Sequence, residues 1–229
     1  MTASLLPRER WELAPGCVHL PDWLSSDEQA DLVARCREWA KPPAPMRATR
    51  LPNGGVMSVR TVCLGWQWLP YRYTRFAPVD GAAGEVERVK PFPPELVALG
   101  RRAVADAYGD AEASAAYDPD AALVNHYDDT AKMGLHLDKE EVSPAPVVSI
   151  SLGASCRFRF GNTDNRGQPY VDVELRSGDL VVFGGPSRFA YHGVPKVFPG
   201  TGDPAIGLSS GRLNITLRET GLVDDEEGT

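Results

Sequence analysis

Arg212-Leu-Asn-Ile-Thr-Leu-Arg218 alternates without a break, Leu213, Ile215 and Leu217 interleaving with Arg212, Asn214, Thr216 and Arg218. A period of two is that of a β-strand with one apolar and one polar face. The runs before it have the same character. Residues 122–127, 147–152, 158–160, 170–175 and 179–183 are short and rich in β-branched and aromatic side chains. Turns such as Gly161-Asn-Thr-Asp-Asn-Arg-Gly and Ser177-Gly-Asp separate them, which predicts a sandwich or barrel. Two helices precede these strands. Ser25-Ser-Asp-Glu28 supplies a cap and first-turn acids, Leu32, Val33, Cys36 and Trp39 follow at helical spacing, and Lys41-Pro-Pro-Ala-Pro stops the helix. The second runs from Glu95 to Tyr108, with Leu96, Leu99, Ala103 and Val104 on one side. The expected fold is α+β and mainly β: a double-stranded β-helix, or jelly roll, over residues 119–220, with the N-terminal helices packed on one sheet. Residues 1–24 read as irregular.

A chain of 229 residues is sized for one domain, so 1–229 is expected to be a single unit. A hydrophobic content of 42% and no apolar run near the roughly 20 residues of a membrane span point to a soluble protein. The N-terminus lacks a secretory pattern. Cys17, Cys36, Cys63 and Cys156 are scattered, so a reducing cytoplasm is the expected compartment. A net charge of −7 argues against a generally basic nucleic-acid binder, but its distribution is uneven. Between Lys41 and Phe76 lie Lys41, Arg47, Arg50, Arg60, Arg72 and Arg75 and no acid, interleaved with Trp66, Trp68, Tyr71, Tyr73 and Phe76. Cations mixed with flat rings suit phosphates and unstacked bases, and residues 41–85 are read as a recognition lid. A hairpin with rings inward and arginines in water would explain the same composition. Residues 221–229 read as a flexible acidic tail.

His136-Leu-Asp138 places an imidazole and a carboxylate on one face of an extended chain, about 7 Å apart. His192, in Tyr191-His-Gly193, is the candidate third ligand among only four histidines; His19 reads as an incidental surface or packing residue. Two histidines and one carboxylate on one side of an octahedral ion leave three positions open, the arrangement of non-haem Fe(II) oxygenases. The polar face of the 212–218 strand fits such an ion. Its arginines are about 20 Å apart at Cα, and guanidinium groups folded inward would leave a gap suited to a short dicarboxylate. A 2-oxo diacid such as 2-oxoglutarate satisfies both the metal and the clamp, with one position left for O2. Singly, each feature has a plainer explanation: a chance HxD, a turn histidine, solubilising arginines.

Together the motifs carry a resemblance. Asn125-x-Tyr127, His136-x-Asp138-Lys139, Ser-Leu-Gly153, Phe158-x-Phe160-Gly, Gly178-Asp-Leu-Val-Val-Phe-Gly-Gly185, Tyr191-His-Gly and Arg-x-Asn-x-Thr-x-Arg218, in this order, resemble the AlkB family of Fe(II)/2-oxoglutarate nucleic-acid dioxygenases. The match is clear from about residue 91 to 218, and weaker over Gly55-Val-Met-Ser58 and Leu64-Gly-Trp66. The resemblance implies that His136, Asp138 and His192 bind iron and carry catalysis. It implies that Asn125, Tyr127, Arg212, Asn214 and Arg218 hold 2-oxoglutarate. Met57, Trp66, Tyr71 and Glu140 would contact substrate, Trp66 by stacking on a flipped base opposite His136. Leu137 and Glu140 depart from enterobacterial relatives, which carry glutamine and aspartate there. The implied reaction is oxidative demethylation of 1-methyladenine and 3-methylcytosine in DNA, with RNA as a second substrate, releasing formaldehyde and succinate. The partner is alkylated nucleic acid, with no membrane association and a monomeric protein. Competing readings are a 2-oxoglutarate-dependent hydroxylase of a protein or small molecule, and a catalytically silent nucleic-acid binding module.

Overall fold

A computed structural model describes residues 8–82 and 84–223; most of the acidic tail, from 224, lies outside the described residues. The last strand organises the rest. β16, counted in chain order, spans Arg212–Arg218 and lies between β9 (Ala121–Tyr127) and β11 (Val147–Gly153). The sheet extends beyond β11 through β14 (Leu180–Phe183) to β2 (Cys17–Leu20) and β1 (Trp11–Ala14), and beyond β9 through β4 (Val56–Leu64) to β3 (Arg47–Arg50). All eight strands pair antiparallel.

A smaller sheet faces it, in the order β10 (Met133–His136), β15 (His192–Val197), β12 (Cys156–Phe160) and β13 (Val171–Leu175). Two facing antiparallel sheets make the expected jelly roll. Its extent differs from expectation. The segment before residue 24 is not irregular, since β1 and β2 form a hairpin that continues the large sheet beside β14. Nor is 41–85 wholly a lid: β4 pairs with β9 along five residues and belongs to the sheet. Only β5 (Gln67–Leu69) with β6 (Arg72–Thr74), and β7 (Phe76–Pro78) with β8 (Val86–Arg88), form separate hairpins. Their strands are too short to carry the alternation that would set them apart by eye.

α1 (Ser26–Trp39) and α2 (Pro94–Tyr108) cover the outer face of the large sheet. Ser25 Oγ accepts from the Glu28 amide while Glu28 Oε2 accepts from the Ser25 amide at 2.8 Å, a closed capping box. α2 starts with proline at its first position and ends at Gly109. A short α3, Ala111–Ala116, follows. Leu32, Val33, Leu96 and Val104 from the helices meet Val124, Ile150, Ile215 and Leu217 from the sheet. Each such fully buried aliphatic side chain contributes roughly 1.5–3 kcal/mol. A second core between the sheets joins Tyr127, Val147 and Phe183 to Phe158 and Phe160.

This arrangement decides what the polar face of β16 does. Leu213, Ile215 and Leu217 face the helices, so Arg212, Asn214, Thr216 and Arg218 face the space between the sheets. All seven residues of β16 are buried. Solubilising arginines are excluded.

Candidate active site

β10 and β15 pair with His136 directly opposite His192, so two imidazoles leave adjacent strands on the same face. Their ring centroids are 4.5 Å apart. Asp138 lies just past the end of β10, 3.7 Å from each Nε2, through Oδ1 to His136 and Oδ2 to His192. One donor atom from each of the three falls within 4.8 Å of the others. The Nδ1 atoms lie 3.0 Å from the carbonyls of Gly134 and Ala190. Those carbonyls accept from Nδ1–H and turn both Nε2 lone pairs toward the carboxylate, which is how metal-binding imidazoles are oriented.

The charge states agree. Burial pushes the His192 imidazole down, helped by His136 and opposed by Asp138, to about 4, so it is neutral at physiological pH. Burial raises the Asp138 carboxyl, but Arg218 and the two imidazoles outweigh it and hold it down at about 2. Near neutrality His192 offers a lone-pair nitrogen and Asp138 an ionised oxygen, the forms that bind a cation.

Beside the triad the large sheet presents a polar row in register across four strands: Thr61, Asn125, Asn214 and Ser151. Thr61 Oγ1 donates to Asn125 Oδ1 at 2.7 Å, and Asn214 Nδ2 donates to Ser149 Oγ at 2.8 Å. Arg212 is 1% exposed, stands over the Tyr127 ring and donates through Nη2 to Ser151 Oγ at 3.0 Å. Its Nε and Nη1 are buried without a partner, as is Nε of Arg218. Unsatisfied buried donors on a guanidinium are costly, so a site built this way fits an anion, and a carboxylate matches the fork. Arg218 approaches Asp138 Oδ2 to 2.7 Å, but not in hydrogen-bond alignment, so that oxygen keeps a lone pair. A cation between the triad and an anion on Arg212 would satisfy these orphaned atoms together.

Comparison with known proteins agrees with that geometry. Residues 16–218 match the 2OG-Fe(II) oxygenase superfamily. The alpha-ketoglutarate-dependent dioxygenase AlkB homolog of Caulobacter vibrioides is 38% identical over 213 residues, covering 90% of this chain and 88% of its own. The chain belongs to the AlkB family. The AlkB dioxygenase of Escherichia coli K12 is 36% identical over 186 residues, covering 78% of this chain and 79% of its own. An Arabidopsis thaliana relative, the DNA N(6)-methyladenine demethylase ALKBH1D, is 31% identical over 90% of this chain, which spans about half that relative's length. The solved structure of OsALKBH1 superposes with a TM-score of 0.77 at 31% identity, covering 92% of this chain and all of its own. As an AlkB-family dioxygenase, the protein takes Fe(II), 2-oxoglutarate and O2.

Above the triad opens a cleft of about 1080 Å³, large enough for a co-substrate and a base together. Asn125, Tyr127, Arg212, Asn214 and Arg218 line it, as do Met57, Tyr71 and Glu140. Trp66 does not. It is 5% exposed, its Nε1 donates to Asp120 Oδ2 at 2.9 Å, and the Arg75 guanidinium lies 3.6 Å from its ring centroid. Trp68 is the tryptophan that lines the cleft. The reason is Gly65, whose φ of +77° ends β4, so alternation does not carry through to residue 66. Sequence reading also missed Glu141 and Arg188, buried behind Asp138, and half-buried Tyr73, which donates to Glu141. Glu141 sits in Asp138-Lys-Glu-Glu141, a charge run that reads as a solvated face. His19 is not on the surface: it is buried, 3.0 Å from Asp179.

Proposed function

We propose that this AlkB-family protein oxidatively demethylates alkylated nucleobases, 1-methyladenine and 3-methylcytosine first among them, in DNA and also in RNA. The observation that carries the reading is the pair of unpartnered N–H donors on buried Arg212, beside a His-Asp-His triad at the inner wall of an aromatic-rimmed cleft. His136, Asp138 and His192 would hold Fe(II), and Arg212, Asn214, Asn125, Tyr127 and Arg218 would hold 2-oxoglutarate. Bound together, these cofactors supply an oxidant from O2, with decarboxylation to succinate.

The rest is the chain's own work. Arg218 holds Asp138 ionised and in place. The hydrophobic layer around Phe158 and Phe183 closes the inner end of the site against water. A methyl on N1 of adenine or N3 of cytosine makes the ring cationic, and the carboxylate of Glu140 on the cleft wall offers it a counter-charge. Hydroxylation of that methyl gives an N-hydroxymethyl group, which loses formaldehyde and restores the base. The triad and clamp come from one chain, which supports a monomer as the active form. All four cysteines are buried and free, in keeping with a cytoplasmic setting. No helix among the described residues is long and apolar enough to cross a membrane.

The test is release of formaldehyde and succinate from oligonucleotides carrying 1-methyladenine, 3-methylcytosine or N6-methyladenine, as single-stranded DNA, duplex DNA and RNA, with and without 2-oxoglutarate. N6-methyladenine belongs in the panel because the Arabidopsis relative is named for it. Succinate formation without formaldehyde from any of these substrates would redirect the reading to hydroxylation of a protein or small molecule. Failure to bind either Fe(II) or 2-oxoglutarate in calorimetry would leave only a silent binding module.

A further inference from the structure

The polar row on the inner face of the large sheet holds two asparagines directly opposite each other, Asn125 on β9 and Asn214 on β16. Their amides are wired differently. Asn214 spends its Nδ2 donors within the sheet, on Ser149 Oγ at 2.8 Å and the Ile150 carbonyl at 3.1 Å, while its Oδ1 accepts from Thr216 Oγ1 at 3.0 Å. Both ends of that amide are occupied. Asn125 has a protein partner at one end only, since its Oδ1 meets the Thr61 hydroxyl and its Nδ2 has no partner among the described residues.

Which end of the Asn125 amide faces the cleft therefore depends on Thr61. The contact is 2.7 Å long, the usual length of an O–H···O bond and short for N–H···O. The hydroxyl has no other acceptor among the described residues, so it donates, the amide oxygen accepts, and the Nδ2 protons turn to the cleft that Asn125 lines. Register holds this arrangement in place. Thr61 lies directly opposite Asn125 in the β4–β9 pair, so the two side chains share a face, and a β-branched side chain is stiff about its first torsion. Two residues beyond Asn214 on the same strand, Arg212 keeps its unpartnered Nε and Nη1.

We propose that Thr61 is a positioning residue for the co-substrate: by holding Asn125 Oδ1 it commits the Asn125 Nδ2 donors to an oxygen of 2-oxoglutarate, adding them to the orphaned donors of Arg212. The inference rests on the reading above in which Asn125 and Arg212 hold that diacid. It gives β4 two tasks, because the strand that brings Met57 to the cleft also sets an amide for the co-substrate. Without the hydroxyl the amide is free to turn, and in the turned state a lone pair rather than a donor meets the anion.

The experiment titrates 2-oxoglutarate into anaerobic Fe(II)-loaded protein by calorimetry, for wild type, Thr61→Val, Thr61→Ser, Asn125→Ala and the double variant Thr61→Val with Asn125→Ala. Thr61→Val keeps the shape without the hydroxyl and should weaken binding roughly threefold to tenfold, with KM for a 1-methyladenine oligonucleotide unchanged. Thr61→Ser restores the donor and should stay within about twofold of wild type. In the Asn125→Ala background the loss of the hydroxyl should cost nothing further, which a general loosening of β4 would not reproduce. Wild-type affinity in Thr61→Val, additive losses in the double variant, or an equal rise in oligonucleotide KM overturns the proposal. If Asn125→Ala weakens binding and Thr61→Val does not, this proposal alone falls. Unchanged affinity in Asn125→Ala overturns the co-substrate role of Asn125 as well.

Discussion

Arg218, at the end of β16, stands 2.7 Å from Asp138 and 3.0 Å from Glu141, tying the last strand to the segment after β10 through two buried carboxylates. Arg188 completes the set, donating to the Asp138 carbonyl at 2.9 Å and to Glu141 Oε2 at 3.2 Å. Two guanidinium groups and two carboxylates thus neutralise one another out of water. Such a network contributes little net stability when whole, but breaking it exposes each member to the full desolvation penalty. Its role is to hold Asp138 ionised and aimed before any cofactor arrives.

Removing Arg218 should therefore be costly even without ligands. Arg218→Ala is expected to destabilise the cofactor-free protein by about 3–5 kcal/mol in urea denaturation, because Asp138 and Glu141 lose their shared counter-charge. A loss below 1 kcal/mol would show that the network is solvated.

Arg212 should behave in the opposite sense. Its buried Nε and Nη1 are unsatisfied without co-substrate, so Arg212→Met replaces an underpaid charge with a side chain of similar reach. Cofactor-free stability should hold or rise. The stabilisation that 2-oxoglutarate gives the wild type in a thermal melt should vanish.

His136 is the most accessible of the three triad residues. His136→Ala should leave the folded protein close to wild type in melting temperature, since little is buried there. Anaerobic calorimetry should show Fe(II) binding lost and, with it, formaldehyde release. Wild-type turnover by this variant would exclude the triad as the metal site.

Asp179 carries a pH dependence. Burial would raise its carboxyl, but His19, Arg8 and the amides of Arg176 and Asp22 hydrogen-bond the ionised form and hold it below the ordinary 3.8. A lowered folded-state value means that its stabilisation is complete above 3.8 and fades as pH falls through the lower folded value. Asp179→Asn should cost roughly 1.5–3 kcal/mol at neutral pH. The difference between variant and wild type should shrink on acidification below that point, measured by denaturation from pH 7 down to 2.

Gly65 has no room for a side chain. A Cβ there would sit 1.9 Å from the Asp120 carbonyl oxygen, on a backbone with φ of +77°. Gly65→Ala should lose about 2–4 kcal/mol from strain and clash. Because Gly65 turns the chain between β4 and the Trp68 hairpin, KM for methylated oligonucleotide should rise as well.

Local pattern was enough for several parts of this molecule. The alternation in Arg212–Arg218, the capped helix from Ser26 and the HxD pair are written within a few residues, where sterics and periodicity act directly. The order of motifs identified the family. What escaped depends on partners distant in the chain. β1 and β2 look irregular because the pairing of β2 with β14 spans some 160 residues of sequence, and four-residue strands carry too little alternation to announce themselves. Charge runs likewise do not say which member turns inward: Glu140 and Glu141 look alike in sequence, and only Glu141 is buried.

The order of residues already carries the side chains available for metal, diacid and base, and the polar character of one face of the last strand. Packing of the two sheets is what points this face inward rather than to water, and what sets Arg218 against Asp138 while Arg212 keeps free donors. It also decided that Trp68 rather than Trp66 looks into the cleft. The physical reason is common to all three: orientation of a side chain is set by which neighbour covers the other face of its strand or ends its register, and those neighbours arrive from distant parts of the chain.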